Sequence, residues 1–105
     1  VNYDTANVLF YADLDPMEDV PTCIDKIGYM HLKDKAGGNR EWNFPALGKG
    51  KVNFPGLFSL LEKAHNNCPL SIEIEFTQAG PKGLTEVNTA VRDSYAYLRG
   101  LGFEI

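Results

Sequence analysis

The sequence predicts an α/β fold, a (βα)3 segment of a parallel (β/α)8 barrel. Three observations predict it. Strand and helix signals alternate through the 105 residues, the order expected of parallel strands joined by helical crossovers. Each strand is apolar on one face only, whereas parallel strands covered by helices on both sides are apolar on both. The charged face cannot lie under a second helical layer without burying unpaired charge, but it suits the inside of a barrel near its open end. A closed barrel takes eight βα units and roughly 250 residues. Three units are readable, so 1–105 is expected to be a single partial domain.

Val1-Asn2-Tyr3-Asp4 is the first strand signal. Asp15-Pro16 starts a helix, because aspartate caps and proline suits the first helical position. Glu18 and Asp19 fall in its first turn, where the helix dipole favours negative charge. Pro21 makes the stretch 16–26 irregular. In a second strand, 27–33, Met30 and Leu32 face one way and Tyr29, His31 and Lys33 the other. The polar stretch 34–52 follows, broken by five glycines or prolines and carrying the isolated aromatics Trp42 and Phe44; a loop of this length is usually functional or disordered. Asn53-Phe54-Pro55 opens the next helix. Leu57, Phe58, Leu60, Leu61 and Ala64 form its apolar face, and Asn66-Asn67 stops it. In the third strand, 70–76, Leu70, Ile72, Ile74 and Phe76 face one side and Ser71, Glu73 and Glu75 the other. Gly80-Pro81 and Gly83 turn the chain. Leu84, Val87, Val91, Tyr95 and Leu98 mark a last amphipathic helix, ended by Gly100 and Gly102.

Composition narrows the classes. Hydrophobic residues make up 44% and charged residues 23%, the mix of a soluble globular domain rather than a disordered tail. No apolar run approaches the ~20 residues needed to span a bilayer, and no signal peptide opens the chain. A net charge of −4 argues against a nucleic-acid partner. Cys23 and Cys68 have no metal-binding spacing and read as reduced thiols of a cytoplasmic protein; a disulfide between them is open but unsupported.

Asp4, His31 and Glu73 stand at the ends of the three strands, one per βα unit. Successive strand ends of a parallel barrel converge on one mouth. Mixed carboxylate and imidazole ligands suit a divalent ion such as Mn²⁺, Mg²⁺, Co²⁺ or Zn²⁺. Each residue has a plainer alternative. Asp4 can cap the turn after its strand, His31 can be a hydrogen-bonded core histidine, and Glu73 and Glu75 can form the solvated face of an edge strand.

Five motifs occur in order: Asp4-Thr5-Ala6-Asn7; Asp15-Pro16; His31-Leu32-Lys33-Asp34-Lys35; Leu47-Gly48-Lys49-Gly50 with Val52-Asn53-Phe54; and Leu70-Ser71-Ile72-Glu73-Ile74-Glu75. Together they resemble the C-terminal half of the xylose-isomerase-like TIM barrels. That superfamily holds sugar and sugar-phosphate isomerases and epimerases, inosose dehydratases and family 2 AP endonucleases. In the epimerase branch one metal is held by Glu, Asp, His and Glu from consecutive strands. The resemblance implies that Asp4, His31 and Glu73 are three of these ligands. The first Glu belongs to a strand before Val1. It also implies that Glu73 and that Glu are the paired acid and base that move a proton next to a carbonyl. The 105-residue chain alone is then expected to be inactive.

For substrate contacts, the resemblance draws attention to Asn7, Lys33, Asp34, Lys35, Arg40, Trp42 and Glu75. Asn7 can bond a sugar hydroxyl or cap a helix. Lys33, Asp34 and Lys35 can bind a hydroxyl, carboxylate or phosphate, or stay solvated. Some epimerases place an arginine shortly after the histidine, which points to Arg40. Trp42 and Phe44 form either a lid over a sugar or an anchor for the loop, and Glu75 faces the same way as Glu73. The expected function is a metal-dependent sugar or sugar-phosphate isomerase or epimerase. Alternatives are an inosose-type dehydratase and a non-catalytic small-molecule binding module or inactive fragment. An AP endonuclease is less expected, since two histidines cannot furnish a three-zinc cluster. Exposed strand edges call for self-association or the missing N-terminal barrel half as a partner.

Overall fold

The computed structural model describes residues 1–75, 77 and 81–105. Strands β1 (Asn2–Asp4), β2 (Tyr29–Leu32) and β3 (Leu70–Ile72) form a parallel sheet in the order β1-β2-β3. Asp4 lies opposite His31, and His31 opposite Ser71, so the candidate residues share one end of the sheet. The ladder continues briefly beyond the strands, with Thr5 donating to the His31 carbonyl (3.3 Å) and Glu73 to that of Leu32 (3.0 Å).

The alternation is as expected, with one addition. Helix α1 (Asn7–Ala12) follows β1 directly. Asn7, Val8, Phe10 and Tyr11 are indifferent helix formers, so nothing in the local pattern announces this short helix. Asp4 makes it, because one of its oxygens accepts the N–H groups of both Ala6 and Asn7 at 3.0 Å. Leu9 anchors it in the core, and Asp13 ends it in the left-handed region at φ 54°.

Helix α2 (Pro16–Cys23) begins as predicted, with Asp15 capping the Met17 N–H at 2.9 Å. It contains Pro21 and gives way to a 3-10 turn at Ile24–Lys26, the irregularity expected of 16–26. Helix α3 (Phe54–Lys63) is capped by Asn53, whose side chain accepts the Gly56 N–H at 3.0 Å. It buries Phe54, Leu57 and Leu61, while Ala64 at its end is exposed. These side chains meet Val20 of α2 and Met30 and Leu32 of β2 in one apolar core. Full burial of each contributes about 1.5–3 kcal/mol.

Three expectations are corrected. β2 and β3 are shorter than 27–33 and 70–76. β2 ends because its chain turns into the long loop at Lys33, and β3 then loses its pairing partner; the prediction for Phe76 lies outside the described residues. Helix α4 (Leu84–Gly100) buries Ala90, Ser94 and Leu98, not the whole predicted stripe, and Leu84 is exposed. The helix is rotated because it packs on the long loop. The Ser94 hydroxyl accepts the Leu47 N–H at 3.0 Å and donates to the Ala90 carbonyl at 2.7 Å. Val91 and Tyr95, expected in the core, instead line a groove of about 530 Å³ between α4 and β3. The turn predicted at Gly80 also lies outside the described residues. Among the described residues no helix is long and apolar enough to cross a membrane, and Cys23 and Cys68 are free thiols.

Candidate functional site

The site grows from Thr5 and Lys33 at the ends of β1 and β2. The Thr5 hydroxyl is fully buried; it accepts the Lys33 N–H at 3.0 Å and donates to the Lys33 carbonyl at 2.7 Å. This two-way clamp fixes the backbone from which the Lys33 side chain leaves the sheet. Lys33 is only 2% exposed. Its ammonium lies 2.5 Å from Glu75 Oε1, 3.5 Å from Glu73 Oε2 and 3.5 Å from Asn7 Oδ1. It also sits 4.2 Å from the centre of the Phe44 ring, a cation–π contact that replaces part of its lost hydration. A buried lysine held by two carboxylates is the compensated arrangement that burial of charge demands.

Asp4 completes the cluster, its carboxyl being hydrogen-bonded to Glu73. Burial and then this bond push the Asp4 carboxyl up to about 6, against the pull of the Asn7 and Ala6 amides and of Lys33. Burial alone would raise Glu73 too, but the Asp4 bond and the neighbouring Lys33 and His31 outweigh it and hold Glu73 below its usual range. The proton that bridges the two carboxyls below about pH 6 therefore rests on Asp4 rather than Glu73. His31 is half-buried, with its ring 5.1 Å from that of Tyr29. Among the described residues no three His, Cys, Asp or Glu side chains are gathered closely enough to hold a metal ion.

Asp4, Asn7, Lys33, Glu73 and Glu75 thus meet at one end of the sheet, with His31 beside them. Other candidates are committed elsewhere. Asp34 is fully buried, and its oxygens accept the N–H groups of Lys35 (2.8 Å), Gly48 (2.9 Å), Gly50 (2.9 Å) and Val52 (3.1 Å). It staples both ends of the long loop together. The Lys35 ammonium donates to the carbonyls of Ala36 (2.6 Å) and Gly38 (2.7 Å) inside that loop. Arg40 pairs with Asp13 at 2.8 Å and bonds the Phe10 carbonyl, tying the loop to α1. Trp42 and Phe44 take different parts. Phe44 is buried as an anchor, whereas Trp42 is 43% exposed and set edge-on to Phe44 (4.9 Å) and Phe10 (5.1 Å). Thr5 and Phe10 were not anticipated as parts of the site. The second position of the Asp4-Thr5-Ala6-Asn7 motif was the available signal for Thr5; Phe10 had none, since α1 itself was not foreseen.

Three parallel strands carrying carboxylates, an amide and an ammonium at one end, with apolar side chains packed on helices, define part of a β/α barrel and its polar mouth. The family model for the xylose isomerase-like TIM barrel matches residues 1–101, and the chain belongs to that family. Two solved structures are similar. One is a xylose isomerase domain protein from Planctomyces limnophilus, at 24% identity and a TM-score of 0.77 over 96% of this chain and 36% of that one. The other is a sugar phosphate isomerase/epimerase from Parabacteroides distasonis, at 22% identity and a TM-score of 0.65 over 90% of this chain and 29% of that one. The chain therefore spans about a third of the length of these structures. No curated protein sequence matches it.

Proposed function

We propose that this chain forms the C-terminal part of a metal-dependent sugar or sugar-phosphate isomerase or epimerase. The observation that carries the reading is the contact between Asp4 and Glu73 beside Lys33 and Asn7, at one end of three parallel strands. The donor types suit a divalent ion, although the described residues do not by themselves gather three of them into one group. Two carboxyls already in contact offer hard oxygen ligands, and an imidazole stands nearby. Asp4, His31 and Glu73 would hold the ion, with a further carboxylate from elsewhere in the barrel. When bound, it supplies Lewis-acid stabilisation of the negative charge that develops on a substrate oxygen.

The chain's own residues do the rest. Glu73, kept ionised by its neighbours, takes or returns the proton on the carbon next to the carbonyl. Asp4 would serve the ion as an ionised carboxylate, the form it takes above about pH 6. Asn7 offers an amide to a substrate hydroxyl, and Lys33 holds the two glutamates in place. The two unbridged thiols are in keeping with a cytoplasmic setting. With the complete barrel and Mn²⁺, product analysis on ketoses and inososes is expected to show isomerisation, epimerisation or loss of water. Glu73→Gln should lower kcat by about 100-fold or more; unchanged turnover would remove Glu73 from the chemistry. A second reading, a non-catalytic binding module, is favoured by the absence of a three-ligand group among the described residues. It predicts sugar binding that is indifferent to Mn²⁺.

A further inference from the structure

From a buried Lys33 ammonium set closer to Glu75 than to Glu73, we propose that Glu75 is a positioning residue. It is the counter-ion that seats Lys33, and it thereby keeps the Glu73 carboxylate from being taken up in a full ion pair with that ammonium. This rests on the reading of Glu73 as a ligand of the divalent ion, and it gives Glu75 a task other than the substrate contact expected from the sequence.

Lys33 is a fixed point. The Thr5 hydroxyl clamps its backbone N–H and carbonyl, and the Phe44 ring centre lies 4.2 Å from its ammonium. The side chain is buried, so its charge must be met by partners within the fold. An ammonium has three donors, and three side-chain oxygens stand around this one: Glu75 Oε1 at 2.5 Å, Glu73 Oε2 at 3.5 Å and Asn7 Oδ1 at 3.5 Å. A strong charge-assisted bond is no longer than about 2.9 Å. Glu75 makes such a bond; Glu73 stands off from it.

The two glutamates are two positions apart, past the end of β3 at Ile72, and both reach Lys33. Glu73 is still held by the sheet, its N–H donating to the Leu32 carbonyl at 3.0 Å, and its carboxyl is bonded to Asp4. Glu75 is tied to the cluster through Lys33. Without the Glu75 charge, the buried ammonium turns to the other carboxylate paired with it among the described residues, that of Glu73. A carboxylate bonded closely to an ammonium has fewer lone pairs free for a cation, and the ammonium's charge repels that cation. Conversely, a Glu75 that turned to a substrate hydroxyl would leave a buried lysine short of its closest partner, which is costly.

The test compares Glu75→Gln, Glu75→Asp and the double variant Lys33→Met/Glu75→Gln with the wild type, in the complete protein. Metal-free ¹⁵N–¹³C NMR of the Lys33 ammonium reads which carboxyl carbon it couples to across a hydrogen bond. Electron paramagnetic resonance reads the affinity for Mn²⁺ alone. In the wild type the coupling is expected to Glu75, and in Glu75→Gln to Glu73, with Mn²⁺ binding weakened about tenfold or more. Glu75→Asp keeps the charge but sets it back by one methylene, and should also weaken Mn²⁺ binding; a role of Glu75 through charge alone would leave it unchanged. The double variant has no ammonium to occupy Glu73 and should bind Mn²⁺ more tightly than Glu75→Gln. Wild-type coupling to Glu73, no coupling gained by Glu73 in Glu75→Gln, wild-type Mn²⁺ affinity in Glu75→Asp, or a folded double variant no better than Glu75→Gln overturns the inference. If the double variant does not fold, Glu75→Asp decides in its place. A wild type that binds no Mn²⁺ refutes the metal reading, and the coupling, which needs no metal, then decides the inference.

Discussion

At the scale of single residues, Asp4 takes the plainer of the two roles the sequence offers it, holding the turn after its strand, and also lies against Glu73. One of its oxygens accepts the amides that open α1, and its carboxyl is hydrogen-bonded to Glu73. Its carboxyl, raised from an ordinary 3.8 to about 6, keeps its proton in the folded chain at pH values where an unfolded aspartate has lost it. That contribution to stability is full below 3.8 and fades as pH rises through about 6. Glu73 works in the opposite sense: its lowered value favours the fold above the ordinary 4.5, and that support is lost as pH falls. Asp4→Asn should therefore abolish the component lost as pH rises through about 6, read as the pH dependence of the urea midpoint. An identical pH profile in wild type and variant contradicts the raised titration of Asp4. Asp34 gives the second prediction. Asp34→Ala leaves four amide donors without their acceptor and should cost about 3 kcal/mol or more in urea unfolding. Asp34→Asn, which keeps one oxygen, should cost less, whereas a loss below about 1 kcal/mol for the alanine variant would show that the staple is dispensable. The strand alternation exposed Asp4, His31 and Glu73 to view. It could not separate Lys33, the centre of the cluster, from Asp34 and Lys35, because all three are charged and adjacent. Only the backbone donors of the loop decide which charge turns inward to hold the loop.

At the scale of elements, the strands and α3 were readable, because their signals are local: period-two alternation, Asp15 and Asn53 as caps, prolines at first helical positions. What escaped depends on distant partners. α1 exists because Asp4 caps it, and α4 is rotated because Ser94 bonds Leu47 across 47 positions of sequence. The loop is the true neighbour of α4, and Gly48 is the point of contact. It has φ +89°, and a Cβ there would lie 2.3 Å from Tyr97 Cδ1. Gly48→Ala should destabilise the fold by about 1–3 kcal/mol through backbone strain and displacement of the Tyr97 ring. Gly28→Ala, with nothing within 4 Å of the added carbon, should change stability by less than about 1 kcal/mol. Thermal unfolding of the two variants measures the difference, and equal effects would mean that the loop and α4 do not depend on each other there.

At the scale of the whole molecule, the parallel sheet places charged side chains at one end and apolar ones against helices, the half-and-half pattern that the strand alternation predicts for part of a barrel. A barrel mouth draws its groups from many strand ends, and three strands bring two carboxylates into contact with an imidazole to one side. The central claim is that Asp4, His31 and Glu73 serve one divalent ion, and Mn²⁺ binding followed by electron paramagnetic resonance, in the protein and in His31→Ala and Asp4→Asn, tests it most directly. The account predicts about one bound Mn²⁺ per complete barrel, lost or weakened by about tenfold or more in each variant. Binding of equal strength in the wild type and both variants, or none in the wild type, would contradict it.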